Sequence, residues 1–322
     1  MYDSLLKTCD NFHLYVFAFN NDCYQFLSSQ VYEHLTVISL KQFEDPALLE
    51  VKTLRSAIEY CWTCTPSSIL YCLNTFNLES CTYIDADLFF YGDPRILIHE
   101  MGDKSVLITE HRYTKEYDQL AISGKYCVQF ITFKANNQGM QVLKWWRDRC
   151  LEWCYARVED GKFGDQRYLD DWPQRFEGVH ELSHLGGGVA PWNLQQYDFF
   201  QNSQNITAVE KSTGKEFNLI FFHFHGVKFY KNNIVSYFPY SCSKSVLKIF
   251  HNQYIKLLIE SKLKVFSIDP SFDSNGTFGK SPFPPMNIIR TLKFFITFLI
   301  FGRDFKNFKK SMSEYHYYKI KL

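Results

Sequence analysis

Short apolar runs alternate with segments of helical periodicity along most of this chain, and that alternation is what most narrows the folds open to it. Asn11 to Phe19 reads as a strand ended by Asn20-Asn21-Asp22, and His34 to Leu40 reads as another. Asp45-Pro46 then opens a helix with a capping acid and a first-turn proline, and Val51, Leu54, Ile58 and Cys61 recur at helical spacing as its buried stripe. Strands follow at Cys81 to Ile84, Ser105 to Thr109 and Tyr126 to Phe133. A helix from about Gln138 to Arg157 buries Leu143, Trp146, Cys150 and Trp153 before Glu159-Asp160-Gly161 stops it. Strands alternating with helices predict an α/β fold, a mostly parallel mixed sheet with helices on its faces. With 322 residues, 46% of them hydrophobic, the chain can bury a large core.

The formal net charge is only +1, which gives no reason to expect nucleic acid as a partner. Charge is nevertheless uneven, because residues 286–322 carry eight Lys/Arg and two Asp/Glu, a net of +6. The chain is therefore read as a main domain over 1–285 followed by a basic, apolar helical segment over 286–322. Within that segment Leu292 to Phe301 is too short to span a bilayer. Flanked by Arg290, Lys293, Arg303, Lys306, Lys309 and Lys310, it suits either an interfacial helix on an anionic membrane surface or a helix packed on the main domain. Ten scattered cysteines in a chain this large read as reduced thiols. Cys61-Trp62-Thr63-Cys64 has half of a zinc-site spacing, but no second pair follows. The N-terminus shows no basic segment leading into an apolar run, so the cytoplasm is the expected location, with the inner membrane face as a peripheral site.

Chemistry concentrates in a few places. In Tyr83-Ile84-Asp85-Ala86-Asp87-Leu88-Phe89-Phe90 an apolar strand ends in two carboxylates one residue apart. Strand geometry puts Asp85 and Asp87 on one side, where they repel unless a hard divalent cation such as Mn²⁺ or Mg²⁺ sits between them; the bland alternative is a pair of solvated turn acids. Asp165 and Gln166 follow Gly164, as an ordinary helix cap or as side chains presented into a cleft. His184-Leu185-Gly186-Gly187-Gly188 leads to Trp192-Asn193 and reads as a flexible turn or as one wall of a sugar pocket. Finally, an apolar strand delivers His223-Phe224-His225-Gly226-Val227-Lys228. Imidazole can complete a Mn²⁺ shell, glycine permits close backbone approach, and lysine suits phosphate.

Taken in order, these clusters resemble the retaining glycosyltransferases of the glycogenin-like family 8 group and its bacterial relatives, which have the GT-A type nucleotide-diphospho-sugar transferase fold. Asp85 and Asp87 match the Asp-x-Asp of that group, Asp165 and Gln166 its Asp-Gln pair, and Trp192 and Asn193 its Trp-Asn. His223, Gly226 and Lys228 match its late His-x-x-Gly motif with lysine, although the lysine comes one residue early. Tyr126-Cys127-Val128-Gln129 departs from the usual Tyr-Asn-x-Gly strand.

The resemblance implies transfer of a sugar from a nucleoside-diphosphate sugar to a glycan or lipid-linked acceptor, with retention. Asp87 and His223 would hold Mn²⁺, with Asp85 on the metal or the ribose. Gly226 and Lys228 would stabilise the diphosphate, and Lys52 and Arg55 are further candidates for that contact. Asp165 and Gln166 would be catalytic, and Trp192, Asn193 and His225 would meet the substrate. Relative to that group the chain opens already in helix, at Met1 to Leu6. Either Leu14 to Phe19 serves as the first strand, or the base-binding strand is absent and the chain is an inactive sugar-binding or scaffolding partner. A sugar-phosphate nucleotidyltransferase would need a glycine-rich, basic N-terminal loop that this sequence lacks.

Overall fold

A computed structural model describes residues 1–202, 205–231, 234–279 and 315–319. In chain order its strands are β1 (Leu14–Ala18), β2 (Leu35–Ser39), β3 (Ser80–Ile84), β4 (Leu88–Phe90), β5 (Val106–Glu110), β6 (Tyr126–Lys134) and β7 (Val179–Glu181). They continue with β8 (Tyr197–Gln201), β9 (Ile206–Glu210), β10 (Glu216–Asn218), β11 (Phe221–His223), β12 (Lys228–Tyr230), β13 (Ile234–Pro239) and β14 (Tyr315–Lys319). The class is mixed α/β with several small sheets. Two compact units are distinguished, one of Met1–Gln196 with Asn202–His223, the other of Tyr197–Gln201 with Phe224–Leu322.

In the first unit the largest sheet has the order β3-β6-β5-β7. The expectation of a mostly parallel sheet is corrected: β3 and β5 both run antiparallel to β6, and the parallel pairs are β5 with β7 and β1 with β2. The expectation rested on strands alternating with helices, and that alternation does not fix the direction of each neighbouring pair in the sheet. β6 is central and buried from Tyr126 to Phe133. Its side chains pack with Cys150 and with Trp146 and Trp172, two large rings that each contribute on the order of 2–3 kcal/mol on leaving water. The ten cysteines are free, as expected, and Cys150 and Cys154 are wholly buried.

The helix expected from Asp45 onward is two helices. Asp45 caps Pro46–Lys52 by accepting from the Leu48 amide at 3.0 Å, as its sequence predicts. A new helix, Ala57–Thr75, then begins behind Ser56, whose hydroxyl and backbone N–H engage Glu59 in a capping box. That restart rotates the helical face, so the supposed stripe fails: Leu54 and Ile58 are 63% and 56% exposed, while Tyr60 and Cys64 are buried. The later helix ends sooner than expected, at Asn137–Glu152.

The glycine-rich segment is held tightly rather than loosely. A Cβ on Gly186 would lie 2.0 Å from the Asn218 carbonyl oxygen, so only glycine permits that backbone approach. The Arg112 guanidinium donates to the carbonyls of Leu182 (2.7 Å), His184, Leu185 and Gly187 (3.0 Å), tying the segment to the end of β5.

In the second unit β12, β13 and β14 form an antiparallel sheet. Phe224 stacks on Tyr254 of the helix Asn252–Ile268, ring centroids 3.7 Å apart. Of the segment 286–322 expected to be helical, Tyr315–Lys319 is a strand. The interfacial helix expected around Leu292 to Phe301 lies outside the described residues. Among the described residues no helix is long and apolar enough to cross a membrane.

Candidate metal and nucleotide site

β3 ends at Ile84, so Asp85 and Asp87 are not strand residues as expected; they occupy the turn that carries the chain into β4. The Asp85 N–H donates to the Gln129 backbone carbonyl of β6 at 3.0 Å, and the Leu88 N–H closes the turn onto the Asp85 carbonyl at 3.2 Å. β4 pairs antiparallel with β11 in a register that sets His223 opposite Leu88. The imidazole therefore arrives beside the acids. His223 Nε2 lies 3.0 Å from Asp87 Oδ1 and 3.7 Å from Asp85 Oδ2.

Around this triad the partners are well defined. His223 Nδ1 donates to the Gln129 side-chain oxygen at 2.7 Å. The Tyr83 hydroxyl donates to Asp85 Oδ1 at 2.9 Å. Trp192 stands edge-on to His223 at 5.4 Å, and its own Nε1 donates to the His111 carbonyl. Burial opposes charge on His223, but Asp87, Cys127 and Asp85 outweigh it and raise its pKa well above the usual range. Asp85 is also raised: burial and the Asp87 charge push it up against the pull of His223. An imidazole nitrogen and two partly exposed carboxylates form a donor set that divalent cations accept.

Asp165 enters the same neighbourhood from a distant part of the sequence. It follows Gly164, whose φ of +54° suits glycine and whose closeness to the Trp62 ring leaves little room for a side chain. Asp165 is 5% exposed, and its carboxyl is pushed up to about 7, mainly by burial, with the Asp85 charge adding and the Thr65 hydroxyl opposing. Gln166, half-buried, takes the N-cap position of the short helix Arg167–Asp171 without a side-chain cap hydrogen bond. A cavity of about 600 Å³, lined by Tyr15, Phe17, Cys61, Thr65, Tyr83 and Ala86 among others, reaches the turn that carries the acid pair.

The remaining expected site residues are placed otherwise. Asn193 is wholly buried, its oxygen accepting from the Ala190 N–H and its nitrogen donating to the carbonyls of His111 and Gly188; it is spent on shaping the loop, not presented to a substrate. Lys52 pairs with Glu44 at 2.5 Å. Arg55 lies over the Tyr155 ring at 3.9 Å and donates to the Leu151 carbonyl. Gly226 and Lys228 belong to the second unit: Gly226 takes a turn with φ +86°, and Lys228 begins β12 with its ammonium 5.6 Å over the Phe278 ring. Gln129, Tyr83 and Thr65 were not singled out as site residues from sequence. The signal for Gln129 was present, an amide in the middle of a mostly apolar strand.

No family model matches the chain. Two curated proteins of Bacillus subtilis (strain 168) are similar to it over most of their length. The uncharacterized protein YfnD is 29% identical over 300 residues, 90% of this chain and 93% of that protein. The uncharacterized protein YfnF is 31% identical over 281 residues, 85% of this chain and 91% of that protein. The chain belongs to the family of YfnF. Similarity of that extent covers both the first-unit site and much of the rest of the chain, so a site found here is worth seeking in both relatives.

Proposed function

We propose that this chain is a metal-dependent glycosyltransferase with the GT-A type nucleotide-diphospho-sugar transferase fold. It moves a sugar from a nucleoside-diphosphate sugar to a glycan or lipid-linked acceptor, with retention, in cell-surface polysaccharide or lipopolysaccharide synthesis. The observation that carries the reading is the convergence of His223 Nε2 on Asp87 Oδ1 at 3.0 Å and Asp85 Oδ2 at 3.7 Å, with the other ring nitrogen committed to Gln129. The cavity that reaches the acid turn, and the buried Asp165 whose carboxyl feels Asp85, support it.

Asp85, Asp87 and His223 would hold Mn²⁺ or Mg²⁺, which supplies a Lewis acid that neutralises charge on the departing diphosphate. Asp165, with a carboxyl near neutrality, can hold a proton and hydrogen-bond sugar hydroxyls. Gln166 stands beside it. Retention by a covalent route needs a nucleophile, and an amide is a poor one, so the reading favours front-face attack with Gln166 positioning the reacting sugar. Trp192 shields the imidazole edge from water. The basic segment from Met286 would place the enzyme at an anionic membrane surface; truncation before Met286 should then reduce membrane association, read by fractionation with and without a carbonate wash.

The test is UDP binding with and without Mn²⁺, followed by a hydrolysis screen over UDP- and GDP-sugars. Mn²⁺-dependent nucleotide binding and donor hydrolysis are expected. Absence of nucleotide binding under both conditions would overturn the reading in favour of an inactive sugar-binding or scaffolding partner.

A further inference from the structure

Gln129 touches the acid-histidine triad twice. Its backbone carbonyl accepts the Asp85 N–H at 3.0 Å, and its side-chain oxygen accepts His223 Nδ1 at 2.7 Å. One residue of the central strand β6 thus fixes both the turn that carries the acids and the ring that faces them. The side chain is 0% exposed, so the orientation is set by the surrounding core and not by solvent. Its amide nitrogen is buried without a hydrogen-bond partner among the described residues, near the space left by Gly188, whose Cβ would stand 3.3 Å from that nitrogen. A buried amide with an unsatisfied N–H₂ costs roughly 1–3 kcal/mol, so an apolar side chain would suit this strand better unless the oxygen is needed.

We propose that Gln129 is a positioning residue that fixes the tautomer of His223. Accepting at Oε1, it keeps the proton on Nδ1, so that when a divalent cation displaces the other ring proton, Nε2 is the nitrogen that would face it between Asp85 and Asp87. A ring free to choose its tautomer would spend part of its time with Nε2 protonated, unable to ligate; outer-shell partners of this kind typically change metal affinity by about 10–100-fold. The inference rests on the metal reading of the site, but it makes a statement about the ring that holds with or without turnover.

The full chain and its Gln129→Leu and Gln129→Glu variants should be titrated with Mn²⁺ alone, and the His223 ring observed by long-range ¹⁵N NMR with Zn²⁺ as a diamagnetic probe. Gln129→Leu, which removes the acceptor at similar volume, is expected to weaken Mn²⁺ binding by about 10–100-fold, while Gln129→Glu keeps an acceptor and restores most of it. In the wild-type chain Nδ1 should carry the proton and Nε2 should shift on adding Zn²⁺. A wild-type ring with bare Nδ1, or metal taken through Nδ1, overturns the proposal without any variant having to fold. Equal Mn²⁺ affinity for wild type and Gln129→Leu overturns it too. Metal binding with the expected tautomer but no donor hydrolysis would sink the transferase reading and leave the role of Gln129 standing.

Discussion

His223 Nε2 and Asp87 Oδ1 are 3.0 Å apart although 136 positions separate them in the sequence, because antiparallel pairing of β4 with β11 sets His223 opposite Leu88. Asp87→Ala removes both a candidate metal ligand and the anion that most strongly holds the imidazole charged. Mn²⁺ affinity should fall by more than about 100-fold, since even outer-shell changes reach that scale. The His223 pKa should also fall, readable by NMR without metal. Mn²⁺ binding and donor turnover close to wild type would remove Asp87 from the site.

Asp165 makes stability depend on pH. Its carboxyl rises from 3.8 to about 7 in the folded chain, so between those values the native state keeps a proton that the unfolded state has lost. Stability must therefore decline as pH rises through that window. About three units at ~1.4 kcal/mol each set the loss at roughly 4 kcal/mol by pH 8. Asp165→Asn removes the term, so in metal-free urea denaturation the variant should gain on wild type from pH 4 to pH 8. Parallel curves across that range would refute the assignment.

Arg112 donates to four carbonyls of the segment Leu182 to Gly187. Arg112→Met leaves those acceptors without their donor and should cost about 3 kcal/mol in urea denaturation. Arg112→Lys should recover little, because an ammonium cannot reproduce the planar fork. A lysine variant as stable as wild type would show that charge, not geometry, holds the loop.

The two-helix arrangement after Asp45 has its own signature. Ser56→Ala should cost about 1 kcal/mol through loss of the capping box, Ile58→Lys less than about 0.5 because the side chain is already exposed, and Leu48→Ala about 2–5. A large penalty for Ile58→Lys in thermal or urea unfolding would restore the single continuous helix.

What could be read along the chain was whatever depends on near neighbours. The Asp45 cap and the strands Leu14–Ala18 and Leu35–Ser39 follow from residues a few positions apart. The Ser56 to Glu59 capping box was equally local and was legible, but the apolar spacing of Val51, Leu54, Ile58 and Cys61 spoke for one helix. Tertiary structure alone decided strand direction, since an apolar run buried on both faces looks the same whichever way its partner runs. It also decided the site: Gln129 and His223 meet Asp85 and Asp87 only after β6 has paired with β3 and β11 with β4, and Asp165 comes to Asp85 from a loop some 80 positions away. The sequence by itself determined that two carboxylates would stand together at the end of β3. The physical reason it went no further is that a hydrogen bond spanning 94 residues is set by strand register, which no local pattern contains.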